Sequence, residues 1–241
     1  MKERIDVLLV QRGLVPSREK AQAFLMAGSV LVDGTVEWKP GTRVDVDADI
    51  ALKEDPVPYV SRGGLKLAAA LDAWDIDLAG VVCADIGAST GGFTDVMLKR
   101  GAARVYAIDV GYGQLDFSLR NDSRVVNLER QNVRYLPEDA VPEPCGFVSI
   151  DVSFISLKLV LPTAARICNN RLVALVKPQF EAGRAQVGKG GIVRDPAVHA
   201  EVVAKVQGYS EENGLVCRGV MDSPITGAKG NQEFLLLLEK K

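Results

Sequence analysis

Val81-Val82-Cys83-Ala84-Asp85-Ile86-Gly87-Ala88-Ser89-Thr90-Gly91-Gly92-Phe93-Thr94 is the stretch that decides the fold. An apolar run of strand length meets a cluster of glycines, and Val96, Met97 and Leu98 continue at helical positions. Such a pattern reads as a buried strand, a tight turn and a helix. Glycine lets the backbone approach a ligand closely, and a helix N-terminus offers N–H donors. Two common nucleotide sites are rejected by spacing. No Lys follows the glycines as a P-loop requires, and Gly87-x-x-x-Gly91-Gly92 is not GxGxxG. Asp85 precedes the first glycine, where a nicotinamide site has an apolar strand residue. An acid there suits a cationic ligand such as S-adenosylmethionine. The candidate cofactor-binding residues in this stretch are Asp85, Gly87, Ala88, Ser89, Gly91, Gly92 and Phe93.

Further strands follow downstream. Val105-Tyr106-Ala107-Ile108 ends in Asp109, about 20 residues beyond the glycine turn, where an acid commonly accepts hydrogen bonds from ribose hydroxyls. Gly111-Tyr112-Gly113-Gln114 forms a flexible loop at the same edge. Phe147-Val148-Ser149-Ile150 ends in Asp151, and Leu172-Val173-Ala174-Leu175-Val176 ends in Lys177. In an open α/β sheet, ligands bind beyond the carboxyl ends of the strands. Asp85, Asp109, Asp151 and Lys177 are all expected there, and together they read as one site. Gly230-Asn231-Gln232-Glu233-Phe234-Leu235-Leu236-Leu237-Leu238 reads as a last strand with Glu233 at its entry. Lys66 falls early in a helix whose buried stripe is Leu67, Leu71 and Trp74. His199, the single histidine, follows on a helix and reads as structural.

Upstream, Glu54-Asp55-Pro56-Val57-Pro58-Tyr59-Val60 breaks the pattern, and its prolines favour a stiff extended connector over 54–60. Residues 1–53 then form one small domain and 61–241 a larger one. In the small domain, Ile5, Leu8 and Leu9 recur at helical spacing and Gly13 ends that helix. Ser17 caps a second helix with Ala21, Phe24 and Leu25 inward. Val30 to Val36 straddles Asp33-Gly34, a hairpin signal, and Arg43 to Asp47 alternates like a strand. A module this small has no room for a deep active site and reads as a binding unit. Residues 1–28 carry five basic residues against three acids. Arg4, Arg18 and Lys20 are its candidate phosphate contacts. Residues 177–194 hold Lys177, Arg184, Lys189 and Arg194 against Glu181 alone, with four glycines. That glycine-rich basic loop also suits a phosphate backbone. Arg62 completes the candidate RNA-binding set.

Global composition bounds these readings. The 241 residues carry a net charge of −2, with 47% apolar and 25% charged residues, as ordinary globular proteins do. Disorder, collagen and a coiled-coil rod are excluded, and nucleic-acid binding must come from local patches. No apolar run approaches the ~20 residues needed to span a bilayer, and the N-terminus has no apolar signal core. The four cysteines are scattered with no CxxC pair, so reduced thiols in a cytoplasm are expected, with neither disulfides nor a metal site.

Two resemblances sharpen the picture. Arg4-Ile5-Asp6-Val7-Leu8-Leu9, Ser17-Arg18-Glu19-Lys20-Ala21, Gly28 and Val32-Asp33-Gly34 together resemble the RNA-binding module of ribosomal protein S-four. Four further motifs belong to a resemblance that runs over essentially the whole chain: Arg62-Gly63-Gly64-Leu65-Lys66-Leu67, the glycine stretch, Asp151-Val152-Ser153-Phe154-Ile155-Ser156 and Lys177-Pro178-Gln179-Phe180-Glu181. With the module they resemble the TlyA family, haemolysin-like proteins understood as FtsJ-type ribosomal RNA 2′-O-ribose methyltransferases. The resemblance implies a Rossmann-like α/β sheet with helices on both faces, plus a small α+β RNA-binding domain. It implies S-adenosyl-L-methionine as cofactor, ribosomal RNA or a ribosomal subunit as partner, no membrane, and a cytoplasmic enzyme. It carries over a Lys-Asp-Lys-Glu tetrad as Lys66, Asp151, Lys177 and Glu233, with Asp151 also near the cofactor. The chain resembles the family's short form, which implies a cytidine in large-subunit RNA.

Those residue types fit that chemistry. A ribose hydroxyl is a poor nucleophile while protonated, so the protein must align it and take or share its proton. Lys177 serves either as that base or as a cation stabilising the developing alkoxide. Asp151 and Glu233 orient the two lysines. Rival readings are a non-catalytic ribosome-assembly factor, a pore-forming haemolysin and a nicotinamide oxidoreductase. The first leaves the strand-end residues without a use, the second needs an exported, membrane-inserting chain, and the third lacks GxGxxG.

Overall fold

In a computed structural model, residues 2–26, 28–52, 57–227 and 230–241 are described. The chain divides into two compact units, Met1–Pro58 and Tyr59–Lys241. Of the connector read over 54–60, residues 54–56 lie outside the described residues.

The first unit opens with a three-residue strand, β1 (Lys2–Arg4), that runs into α1 (Ile5–Gln11). α2 (Arg18–Met26) follows, and the Ser17 hydroxyl accepts from Lys20 N as the cap signal implied. β2 (Val30–Val32), β3 (Thr35–Glu37), β4 (Arg43–Asp45) and β5 (Ile50–Leu52) complete the unit. Ile5, Leu8, Leu9, Ala21, Leu25 and Val30 close a single apolar core. The β2–β3 turn places Asp33 at φ 49° and Gly34 at φ 77°. Two positive φ angles in a row match the twist of a two-residue hairpin. β2 lies between β3 and β5, while β4 pairs antiparallel with β1. That partner strand is too short for periodicity to reveal.

Asp6, buried at the start of α1, organises this unit's charges. Arg4 Nε and Nη2 each donate to its carboxylate at 2.9 Å, and Arg18 Nη2 donates to Oδ2 at 2.9 Å. Gln22 Nε2 approaches Oδ2 at 3.4 Å. The Arg4 hydrogen bond, against the opposing effect of burial, holds the Asp6 carboxyl well below the usual carboxylate range. Sequence reasoning turned Arg4 and Arg18 outward to RNA. In the structure each donates to Asp6 while remaining 41% and 54% exposed. Lys20 is half-buried.

The second unit is a sheet with helices on both faces. Its elements are α3 (Gly64–Ala73), β6 (Val82–Ile86), α4 (Gly92–Lys99), β7 (Arg104–Ile108), α5 (Phe117–Arg120), β8 (Val125–Leu128) and β9 (Cys145–Ile150). Then come α6 (Leu161–Ile167), β10 (Cys168–Val176), α7 (Pro178–Glu181), α8 (Pro196–Glu212), β11 (Leu215–Asp222) and β12 (Phe234–Lys240). The strand order is β11-β12-β10-β9-β6-β7-β8. β12 runs antiparallel to both neighbours, and the other pairings are parallel. Both faces of the central strands are buried. In β10, Leu172, Ala174 and Val176 join one apolar cluster with residues of α6 and α8. Val173 and Leu175 join the other, with α3 and α4. Two-sided burial accounts for the near-continuous apolar runs in the sequence. Chain order reverses direction between β6 and β9, and the crevice beyond their carboxyl ends is the topological switch point where such sheets bind ligands.

The Asp6 network yields a test. Asp6→Ala removes charge-assisted hydrogen bonds together worth on the order of 2–3 kcal/mol. Hydrogen exchange should show the most protected amides of α1 and α2 opening more readily by that amount. Unchanged protection would show that Asp6 carries no stability in this unit.

Candidate active site

The glycine turn is shaped first by the protein's own packing. Gly87 has φ 88°, and a Cβ there would run into the backbone oxygen of Asp151. A Cβ on Gly92 would strike Ser61 Oγ, and one on Gly91, at φ 95°, would strike Leu119. Several of the turn's N–H groups already have partners. Gly87 N and Ala88 N donate to Ile108 O at 2.8 and 3.2 Å. Ser89 N donates to Asp109 Oδ2 at 2.8 Å.

Asp109, at the end of β7, accepts from Ser89 through one oxygen and from Gly111 N through the other, at 2.7 Å. It therefore ties the glycine turn to the following loop and still lines a cavity of about 420 Å³. Gly87, Ser89 and Asp151 line that cavity too. Its far wall is Gln131, Asn132 and Val133, which follow β8. Sequence reasoning missed this wall because Val125-Val126-Asn127-Leu128 is short and broken by a polar residue. Asn132 was the available signal, since its side chain accepts from Arg134 N to start a helical turn.

A second cavity of about 180 Å³ shares Gly87, Ser89, Asp151 and Ser153 with the first. Ser61, Gly63, Gly92, Phe93 and Lys177 also line it. Lys177 Nζ lies 2.6 Å from Asp151 Oδ1 and donates to Ser153 Oγ at 3.0 Å. The Lys–Asp contact is a close ion pair rather than a well-angled hydrogen bond. Lys66, in the first turn of α3, donates to Glu233 Oε2 at 2.6 Å, with both groups buried. Gly227 lacks a side chain where one would collide with Glu233. Glu233 precedes β12, which begins at Phe234 rather than at Gly230 as the sequence pattern suggested. The structure thus pairs the four candidate tetrad residues as Lys66–Glu233 and Lys177–Asp151.

Asp85 is the residue that departs most from expectation. It sits inside β6, fully buried, on the sheet face that packs against α4. Thr94 Oγ1 donates to Oδ2 at 2.7 Å and Ser149 Oγ to Oδ1 at 3.0 Å. Neither cavity described above is lined by it. Its carboxylate binds β6 to α4 and β9 rather than facing a cationic ligand. Burial pushes its carboxyl up to about 6, against the two hydroxyl hydrogen bonds.

At the mouth, Phe154 is 91% exposed at φ 64°. It packs on Phe180 with centroids 5.1 Å apart. Neither aromatic was singled out from sequence. Arg62, Arg184, Lys189 and Arg194 are exposed. His199 Nε2 lies 3.0 Å from Val193 O, a structural contact at the end of the basic loop.

The switch-point crevice brings together Asp109, just beyond β7, the glycine turn and the Lys177–Asp151 pair, the arrangement of a ligand site at the carboxyl ends of the strands. Comparisons with known proteins give the chemistry. An FtsJ-like methyltransferase model matches residues 59–240, and an S4 domain model matches residues 3–50. YqxC of Bacillus subtilis, named as an rRNA methyltransferase, is 51% identical over 98% of this chain and 85% of its own. TlyA of Mycobacterium tuberculosis, a 16S/23S rRNA (cytidine-2′-O)-methyltransferase, is 49% identical over 98% of this chain and 89% of its own. A solved structure from Streptococcus thermophilus, which bears a hemolysin name, is 48% identical. It superposes with a TM-score of 0.79 over 100% of this chain and 89% of that one. More distant solved methyltransferases, at 12–16% identity, share the fold alone. The chain belongs to the TlyA family of FtsJ-like methyltransferases. Its sheet is the one on which S-adenosylmethionine-dependent methyltransferases are built. Among the described residues no helix is long and apolar enough to cross a membrane.

Asp85 offers a pH test with a definite sign. Its raised carboxyl means that the folded protein holds this proton more tightly than the unfolded chain. Its contribution to stability is present below about pH 4 and is lost as pH rises through about 6. Asp85→Asn does not titrate. Thermal unfolding should show the variant gaining on wild type between about pH 4 and 6, by up to a few kcal/mol, then levelling off. A difference independent of pH would refute the buried, proton-holding role.

Proposed function

We propose that this chain transfers a methyl group from S-adenosylmethionine to the ribose 2′-oxygen of a cytidine in ribosomal RNA. The observation that carries the proposal is the shared wall of the two cavities: Gly87, Ser89, Asp151 and Ser153 belong to both, and Lys177 stands in the smaller one. A donor in one cavity and an acceptor in the other would meet at Asp151 and Lys177.

The larger cavity fits the cofactor. Its volume of about 420 Å³ lies within the range of pockets that hold a small ligand. Asp109 keeps lone pairs free beyond its two backbone donors, placed for ribose hydroxyls. Asn132 and Val133 would flank the base, and Gly87 and Ser89 carry the wall on to the second cavity. When bound, S-adenosylmethionine supplies a methyl group already activated on a sulfonium.

The remaining steps belong to the chain. Lys177 is expected to hold the attacking hydroxyl in line and stabilise negative charge on its oxygen. Lys177 Nζ is held 2.6 Å from Asp151 Oδ1 on the wall of the smaller cavity. The O–C bond would form as the methyl–sulfur bond breaks and a neutral thioether leaves, and the O–H proton would pass to the Asp151 carboxylate beside Lys177. The buried Lys66–Glu233 pair braces the wall of α3 beside the acceptor cavity, since Gly63, three residues before Lys66, lines it. Phe154 and Phe180, at the mouth, offer an aromatic face for a base lifted out of its stack.

RNA recognition is divided between the units. The S4 domain with Arg4, Arg18 and Lys20 grips structured RNA, and Arg62, Arg184, Lys189 and Arg194 meet phosphates near the reaction centre. Such a substrate places the protein in the cytoplasm. The name of the Mycobacterium relative covers both subunits. Both subunits therefore belong in the assay.

Lys177→Ala should cut single-turnover methylation at least ~10²-fold while leaving S-adenosylhomocysteine affinity nearly unchanged. Lys177→Arg should not restore the rate, because the planar guanidinium cannot take the ammonium's place against Asp151 and Ser153. A folded Lys177→Ala protein that methylates at the wild-type rate would remove Lys177 from the chemistry.

A further inference from the structure

Glu181 lies outside the tetrad, yet it is buried where the two loops that carry Lys177 and Asp151 meet. It ends α7, four residues after Lys177, with 5% of its surface exposed. Its Oε1 accepts from Leu157 N at 2.6 Å, and its Oε2 accepts from Ser156 Oγ at 2.7 Å. Its backbone oxygen accepts from Lys205 Nζ at 3.0 Å, which anchors the turn to α8. Burial pushes its carboxyl up despite these donors.

The loop that Glu181 grips runs from Asp151 to Ser156. Asp151 N donates to Ile86 O at 2.9 Å, so β6 holds the start of that loop and Glu181 holds its end. Between the anchors lie Asp151, Ser153 and Phe154. Each faces a partner on the other loop: Asp151 and Ser153 meet Lys177, and Phe154 meets Phe180. Phe154 sits at φ 64°, a conformation that a bulky side chain adopts only when its surroundings impose it. Free of the far anchor, the loop has no reason to keep Phe154 there.

We infer that Glu181 is a positioning residue for methyl transfer, which locks the Asp151–Ser156 loop against the Lys177–Phe180 turn. This rests on the proposal that Lys177 and Asp151 form the reaction centre. Glu181 acts through hydrogen-bond acceptance at two points rather than through its charge. A glutamine can accept from Leu157 N with its carbonyl and donate to Ser156 Oγ, whose hydroxyl can rotate. An aspartate keeps the charge but is one methylene too short to reach both partners.

The test uses full-length Glu181→Gln, Glu181→Asp and Glu181→Ala with ribosomal subunits as substrate. Single-turnover methylation is read at saturating substrate and cofactor, well below each variant's Tm, beside S-adenosylhomocysteine affinity. Glu181→Gln should stay within about threefold of wild type in rate, while Glu181→Asp and Glu181→Ala fall at least tenfold. Affinity for S-adenosylhomocysteine should stay within about threefold throughout. If Glu181→Ala does not fold, Glu181→Asp carries the comparison. An unaffected rate in Glu181→Asp, a Glu181→Gln variant as slow as Glu181→Asp, or affinity falling in step with rate would overturn the inference. A wild-type protein that methylates no ribose would instead overturn the proposed function.

Discussion

The site depends on what is missing at Gly87. With φ at 88° and no Cβ, this residue lets the backbone oxygen of Asp151 settle directly on the turn after β6. Asp151 N meanwhile bonds to Ile86 O. Two neighbouring parallel strands are thereby joined just past their carboxyl ends, at the switch point where their crossovers diverge. Asp151 becomes part of the wall of both cavities, and Lys177 is drawn to it across the smaller one. Any side chain at position 87 would push Asp151 away and separate the cavities' common wall.

Around that joint the charges are arranged by burial. Lys66 and Glu233 are both nearly inaccessible and pair at 2.6 Å, so neither is left as an isolated buried charge. Lys177 and Asp151 pair at the same distance but remain more accessible, at 11% and 21% exposure. The contrast suits a division of labour, with one pair supporting the wall and the other open to a substrate. Asp85 shows the third use of a carboxylate here. Thr94 and Ser149 satisfy it within the sheet–helix interface, and burial pushes its carboxyl up to about 6.

Much of this was legible in the residues. Strand, turn and helix over 81–98 follow from an apolar run, glycines and helical spacing, and they appear as β6 and α4. Asp109, Asp151 and Lys177 were recognisable as strand-end residues from the polar breaks in apolar runs. Lys66 and Glu233 were not, because an early-helix lysine and a pre-strand glutamate have no local signature. Only family resemblance selected them, and their pairing spans 167 positions of chain. Asp85 was misplaced because its distance from the glycines was weighed and its strand parity was not. Cys83 and Asp85 share one face of β6, which turns Asp85 toward α4. The bonds from Arg4 and Arg18 to Asp6 were not legible, because the sequence shows Asp6 only as a charge and not as a buried one. β1, β5, β8 and β11 escaped notice: three are very short, and β11 is an edge strand with alternating exposure and a register shift near Cys217.

The claim that one crevice joins a methyl donor to a ribose hydroxyl is tested most directly by following the methyl group. Purified small and large ribosomal subunits lacking the modification would be incubated with the protein and S-adenosylmethionine labelled in its methyl. The RNA would then be digested to nucleosides and the labelled product identified. The account predicts label in 2′-O-methylcytidine and in no base-methylated nucleoside. Label on a base, or no transfer to either subunit by folded protein that binds the cofactor, would contradict it.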